Sequence, residues 1–134
     1  EFDTDGYDRD VQDPDAYFVA PGGGFAVAED TAGKVVGCAG HGPGGPGGEF
    51  ELKRLYVLAE ARRAGAGQRL VQWVIDEVRA RGGRRIVLYS DIAFLDAHRL
   101  YRRMGFSNPR FRSADDPWRT PEWGFVMTLG KETR

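Results

Sequence analysis

The chain has 134 residues, 41% hydrophobic and 29% charged, which suits one soluble globular domain with its own core and leaves no room for two. It has no apolar run long enough to cross a bilayer and no charged-then-apolar leader. Its single cysteine, Cys38, excludes an internal disulfide, and two histidines argue against a metal cage, so a cytoplasmic protein with no metal and no membrane partner is expected.

The net charge of −1 is divided unevenly: residues 1–50 carry ten acids and two bases, and residues 51–134 carry ten acids and seventeen bases. A basic half suits an anionic ligand and an acidic half suits a cationic one. Residues 1–20, with seven acids in the first fifteen, are expected to form an acidic arm with a short helix near 15–19, ahead of a single domain over 21–134. After the breaker Pro21-Gly22-Gly23-Gly24, residues 25–28 and 34–39 read as a hairpin, with Cys38 a small buried hydrophobe. The low-complexity stretch HGPGGPGG at 41–48 reads as a flexible connection.

Residues 50–57 (FELKRLYV) read as a third strand whose loose alternation suits either a bulge or a strand lined by something on both faces. Residues 67–80 read as a helix, because Leu70, Val71, Val74, Ile75 and Val78 recur on one face, and Gly82-Gly83 ends it. Trp73 lies on the flank of that helix, where it suits either a second copy of the chain, as in a homodimer, or the edge of the core. A strand at 85–90 precedes a second helix at 94–104. This helix turns Ala97, Leu100, Tyr101 and Met104 inward, with His98 read as a surface histidine. Gly105 stops it, Phe106 begins a short strand, a loop runs to Pro121, and a last strand covers 123–129. This order implies an α/β fold (α+β, with a mixed sheet) containing one parallel crossover.

The glycines of RRAGAGQRL, residues 62–70, are the main functional signal. A nucleotide P-loop needs Gly-Lys-Ser/Thr, whereas Gly67 is followed by Gln68 and Arg69. A dinucleotide fold turns almost directly from strand into glycine, whereas seven residues separate Val57 from Gly65, and Leu70 occupies the third glycine position. The third reading is an anion nest: backbone amides at a helix start, aided by the helix dipole, with Arg62 and Arg63 as charge-assisted donors.

Arg62-Arg63-Ala64-Gly65-Ala66-Gly67 resembles the Arg/Gln-x-x-Gly-x-Gly/Ala signature of the GNAT family of acyl-CoA-dependent N-acyltransferases, and the preceding FELKRLYV is similar to the family's strand. The run from Ala97 to Phe106 (AHRLYRRMGF) resembles the family's Ala-x-x-Leu-Tyr-x-x-x-Gly-Phe helix ending. The resemblance covers roughly residues 24–129. It implies the GNAT fold, acetyl-CoA as co-substrate, and direct transfer of acetyl to a primary amine, small molecule or peptide, without a covalent enzyme intermediate.

The resemblance further implies that Arg62, Arg63, Ala64, Gly65, Ala66, Gly67 and Gln68 take the cofactor's phosphates. Leu55, Tyr56 and Val57 would line the acetyl and pantetheine arm, with the backbone of Leu55 and Val57 bonding to it. Glu51 matches the family's general-base glutamate; the alternative for it is a strand glutamate paired with Lys53 or an arginine. Tyr101 matches the tyrosine that protonates the leaving thiolate.

This sequence departs from the family at Phe94, where asparagine is frequent. It also departs at residues 1–20, which are too short for the strand and helices that open the family's fold, so those elements are expected to be lacking or shortened. The acidic first half favours a cationic acceptor, and the loop after Ser107, with Trp118, is expected to line the acceptor side. The competing reading is a non-catalytic acyl-CoA-binding regulatory module. Nucleic acid is not expected as a partner, because the arginines are dispersed and no aromatic stacking platform is evident.

Overall fold

The computed structural model describes residues 22–130, so the expected acidic arm and short helix lie outside the described residues. One mixed sheet contains β1 (Gly24–Glu29), β2 (Val35–Gly45), β3 (Glu49–Val57), β4 (Arg85–Asp91), β5 (Ser107–Ser113) and β6 (Pro121–Thr128), in the order β1-β2-β3-β4-β6-β5. Among the described residues the helices are a 3-10 turn (Ala59–Ala64), α1 (Ala66–Ala80) and α2 (Leu95–Arg103). Only β3 and β4 pair in parallel among the described residues, with α1 as their crossover.

The expected apolar face of α1 is the buried one: Leu70, Val71, Val74, Ile75 and Val78 pack with Ala39, Leu52, Ile86, Leu88 and Phe125. Full burial of each large aliphatic side chain stabilises the fold by about 1.5–3 kcal/mol. Trp73 is the edge of this core, its ring 5.5 Å from that of His41.

Two stretches expected to be irregular are strands. The glycines after His41 continue β2, with Gly42, Pro43 and Gly45 opposite Glu51, Phe50 and Glu49. A Cβ on Gly44 would lie 3.0 Å from the Glu51 nitrogen, so the small residue there serves close strand approach rather than flexibility. Pro43 costs no ladder bond to β1, because that pairing ends at Gly24 opposite His41. Similarly, the short strand expected from Phe106 is present as β5 and runs on to Ser113, into the stretch expected to be a loop; a register shift between Ser107 and Arg110 accommodates Pro109 in this edge strand.

Neither histidine is at the surface. His98, expected to be exposed, is buried with its Nε2 3.0 Å from the Ser90 hydroxyl oxygen and its ring 4.9 Å from that of Phe125. His41 is fully buried between Phe50 and Trp73. Its Nε2 lies 3.5 Å from Glu77, and among the described residues neither ring nitrogen has a hydrogen-bond partner.

Burial pushes both imidazole pKa values below their ordinary value, so the fold favours the neutral form of both rings more than the unfolded chain does. The unfolded chain titrates near pH 6.5 and binds more protons below it, so stability falls as pH drops through that value. We expect the thermal midpoint to fall between pH 7 and pH 5. This window lies above the range in which Glu49 and Glu77, held low by their arginine partners, lose stabilisation. Glu51, raised by burial, contributes in the opposite sense. A midpoint that is level or rising toward pH 5 would contradict the histidine assignment.

Candidate active site

The site begins where the sheet divides. β3 and β4 pair only at Glu49–Arg85, Phe50–Ile86 and Glu51–Val87, whereas β4 stays paired with β6 through Asp91. The reason lies in β3. Its register against β2 shifts between Lys53 and Tyr56, and Arg54 adopts a left-handed φ of 57°, a bulge that bends the strand away from β4. The resulting cleft of about 550 Å³ is lined along β3 from Glu51 to Tyr56, along β4 from Leu88 to Asp91, and by Phe94, Tyr101, Arg112 and Glu122.

The backbone of β3 facing this gap has lost its β4 partner. The Leu58 amide donates to Val36 O, so ladder alternation turns Tyr56 toward β2 and Val57 and Leu55 toward the cleft. Consistent with this, Val57 O accepts a 3.3 Å bond from Arg62 Nε, outside the β2 ladder. Leu55 and Val57 are half-buried, and the Tyr56 ring is exposed with its hydroxyl oxygen 3.0 Å from Arg54.

The glycine turn adjoins the end of β3. Gly65 has φ 83° and begins α1 with no side-chain cap, so the amides of Ala66, Gly67 and Gln68 lack the acceptor a capping residue would supply. Arg62, Arg63, Ala64 and Gln68 surround this helix start, and Ala66 is buried beneath it. The two glycines differ in purpose. A Cβ on Gly65 would meet open space, so Gly65 is there for its left-handed conformation. A Cβ on Gly67 would lie 3.3 Å from Leu100 and 3.7 Å from Val57, so Gly67 allows α1 to seat against α2 and β3.

The two expected catalytic side chains line the same cleft from opposite faces. Leu52 and Leu88 point into the core beside α1 and α2, so Glu51 and Tyr89, next to them in their strands, project to the other face. Glu51 is half-buried and, among the described residues, forms neither a hydrogen bond nor an ion pair. The pairing considered for it belongs instead to Glu49, which binds Arg85 at 3.0 Å and Arg110 at 3.1 Å. Burial raises the Glu51 pKa above the usual carboxylate value, opposed by the charges of Lys53 and Arg112.

Tyr101 reaches the cleft from α2, buried with its ring edge-on to Phe125 and Phe106. Burial pushes its hydroxyl pKa up to about 12, which keeps it protonated.

The face bearing Glu51 holds groups that the sequence did not reveal. Arg112 Nε donates to Glu122 at 2.8 Å, and its guanidinium carbon lies 3.6 Å from the centre of the Tyr89 ring. Trp118, expected here, is 74% exposed and absent from the cleft lining. Among the described residues no group of three or more His, Cys, Asp or Glu converges as a metal site would require.

Residues 1–106 match the model of the acetyltransferase (GNAT) family. The chain belongs to this family.

An uncharacterised N-acetyltransferase of Schizosaccharomyces pombe is 35% identical over 99 residues, covering 74% of this chain and 61% of the relative. The chain spans about three fifths or less of the curated relatives it matches. A GNAT-family acetyltransferase structure from Staphylococcus aureus Mu50 superposes with a TM-score of 0.76 at 22% identity, covering 90% of this chain and 77% of that one. An aminoglycoside 6′-N-acetyltransferase structure complexed with coenzyme A superposes at 0.73 with 20% identity, covering 97% of this chain and 86% of that one. The GNAT fold inferred from RRAGAGQRL and AHRLYRRMGF is thus the observed one. The bulge at Arg54, the parted β3 and β4 and the uncapped start of α1 are this GNAT chain's own features.

Proposed function

We propose that this GNAT chain is an N-acetyltransferase moving an acetyl group from acetyl-CoA to a primary amine by direct transfer. The observation that carries the reading is the junction of the parted strands with the uncapped start of α1. It joins a slot for an extended arm to a seat for a diphosphate.

The donor set fits that ligand. Arg62, Arg63 and the first-turn amides at Gly65–Gln68 would take the phosphates, and the backbone of Leu55 and Val57, beside Tyr56, would hold the arm. A relative of the same fold crystallised with coenzyme A supports the assignment.

Bound acetyl-CoA supplies an activated acetyl thioester. A β3 amide directed at the acetyl oxygen would stabilise the negative charge that develops there. Glu51 receives the proton the amine must lose, directly or through one water. Tyr101 donates a hydrogen bond to the departing sulfur. Because its pKa is about 12 and a thiol's is about 8.5, it stabilises the thiolate by sharing its proton rather than giving it up.

Tyr101→Phe should therefore lower kcat by about tenfold or more with little change in acetyl-CoA affinity or melting temperature. An unchanged kcat would leave Tyr101 as a core aromatic. A cytoplasmic location is part of this reading; no helix among the described residues is long and apolar enough to cross a membrane. A screen of amine acceptors with detection of released thiol tests the function as a whole. Acetyl-CoA binding without thiol release from any amine would overturn it.

A further inference from the structure

The acceptor face of the cleft carries a prepared cation. Arg112, on β5, is fixed twice: its Nε donates to Glu122 Oε1 at 2.8 Å, and its guanidinium lies 3.6 Å over the Tyr89 ring. Among the described residues its two Nη atoms make no hydrogen bond. A guanidinium held by one edge and seated over a ring has lost much of its rotamer freedom, so its other edge is pre-organised for an anion.

Lys53 lines the same cleft, two residues from Glu51 on the same face of β3. It is exposed and has no hydrogen bond or ion pair among the described residues. Both cations are close enough to act on the Glu51 carboxylate. The other charged groups here are committed: Glu122 to Arg112, Asp91 to the Ala93 amide at 2.9 Å, and Arg54 to the Tyr56 hydroxyl at 3.0 Å.

We infer that the acceptor is a zwitterion, carrying a carboxylate or phosphorus oxyanion a few ångströms from its reacting amine, and that Arg112, assisted by Lys53, holds the anion while Glu51 serves the amine. This rests on the acetyltransferase reading and replaces the cationic acceptor suggested by the acidic first half of the sequence. A second ammonium would be placed against Lys53 and the free edge of Arg112, whereas an anion there meets the Lys53 ammonium and the unused Nη donors of Arg112.

The test is thiol release from acetyl-CoA with four primary amines: β-alanine, O-phosphoethanolamine, propylamine and 1,3-diaminopropane. We expect at least one anion-bearing amine to exceed propylamine in kcat/KM by tenfold or more, mainly through KM, and diaminopropane to be the poorest. Which of the two leads identifies the anion.

In Lys53→Glu and in Arg112→Gln that ratio should fall at least fivefold. Lys53 has no partner to lose, so its variant keeps the test valid should Arg112→Gln misfold. Equal or better turnover of propylamine or diaminopropane would overturn the anion clamp and leave the acetyltransferase reading standing, as would a ratio unmoved by both substitutions. No thiol release from any of the four would overturn both.

Discussion

Replacing Glu51 by glutamine should lower kcat by about a hundredfold or more while changing acetyl-CoA affinity little. A lysine-like amine with a pKa near 10.4 is neutral in only about one molecule in a thousand near pH 7.4, so removing its proton is a large part of the barrier. Glu51 suits this task because it is half-buried, lines the parted strands and has no protein partner among the described residues.

The sign of the pH effect follows from its environment. Burial holds the Glu51 pKa above the ordinary carboxylate value, so wild-type kcat/KM should rise with pH through that raised value as the carboxylate forms. The Glu51→Gln variant should lose this limb, and the gap between the two proteins should narrow at high pH, where the amine is already neutral. Because burial disfavours the charged form, removing the charge should leave the melting temperature unchanged or higher. An unchanged kcat at every pH would assign Glu51 a structural role.

The second large effect concerns Gly67. Its Cβ would lie 3.3 Å from Leu100 Cδ2 and 3.7 Å from Val57 Cγ2, and valine adds two methyl groups beyond that. Overpacking of this kind costs about 1–3 kcal/mol, and relief comes only by moving the first turn of α1 away from β3 and α2. The amides that would seat the diphosphate move with it. Each hydrogen bond to a charged group contributes about 1.5–3 kcal/mol, so the loss of even one should raise the acetyl-CoA Kd about tenfold to a hundredfold for Gly67→Val, with a smaller effect for alanine. A lowered melting temperature with unchanged Kd would mean that the turn serves packing alone.

How much was legible in the sequence depended on whether the deciding contact was local. The face of α1 repeats every turn, so Leu70 to Val78 marked both the helix and its buried side. The signature from Arg62 to Gly67 and the run ending at Gly105-Phe106 sit at helix ends, where chain conformation is set by nearby residues.

The rest was decided across the sheet. The glycines of β2 became strand because β3 lies against them, and glycine carries no side chain through which a sequence could announce a partner. His98 looked solvent-facing among Arg99, Arg102 and Arg103, yet Phe125 and Ser90, distant in the chain or across the layer, enclose it. The face inferred to hold the acceptor was hidden for the same reason. Arg112, Glu122 and Tyr89 meet only because β5, β6 and β4 are neighbours, an order that runs against the chain.

The measurement closest to the central claim is thermal unfolding with and without acetyl-CoA. At a ligand concentration one hundred times Kd, binding stabilises the fold by about 2.7 kcal/mol, which should raise the midpoint by roughly 5 °C or more in a domain of this size. A saturable rise, absent with a nicotinamide dinucleotide at the same concentration, is the expected result. No rise, or an equal rise with the dinucleotide, would contradict the assignment of the parted strands and the Gly65–Gly67 turn to acetyl-CoA.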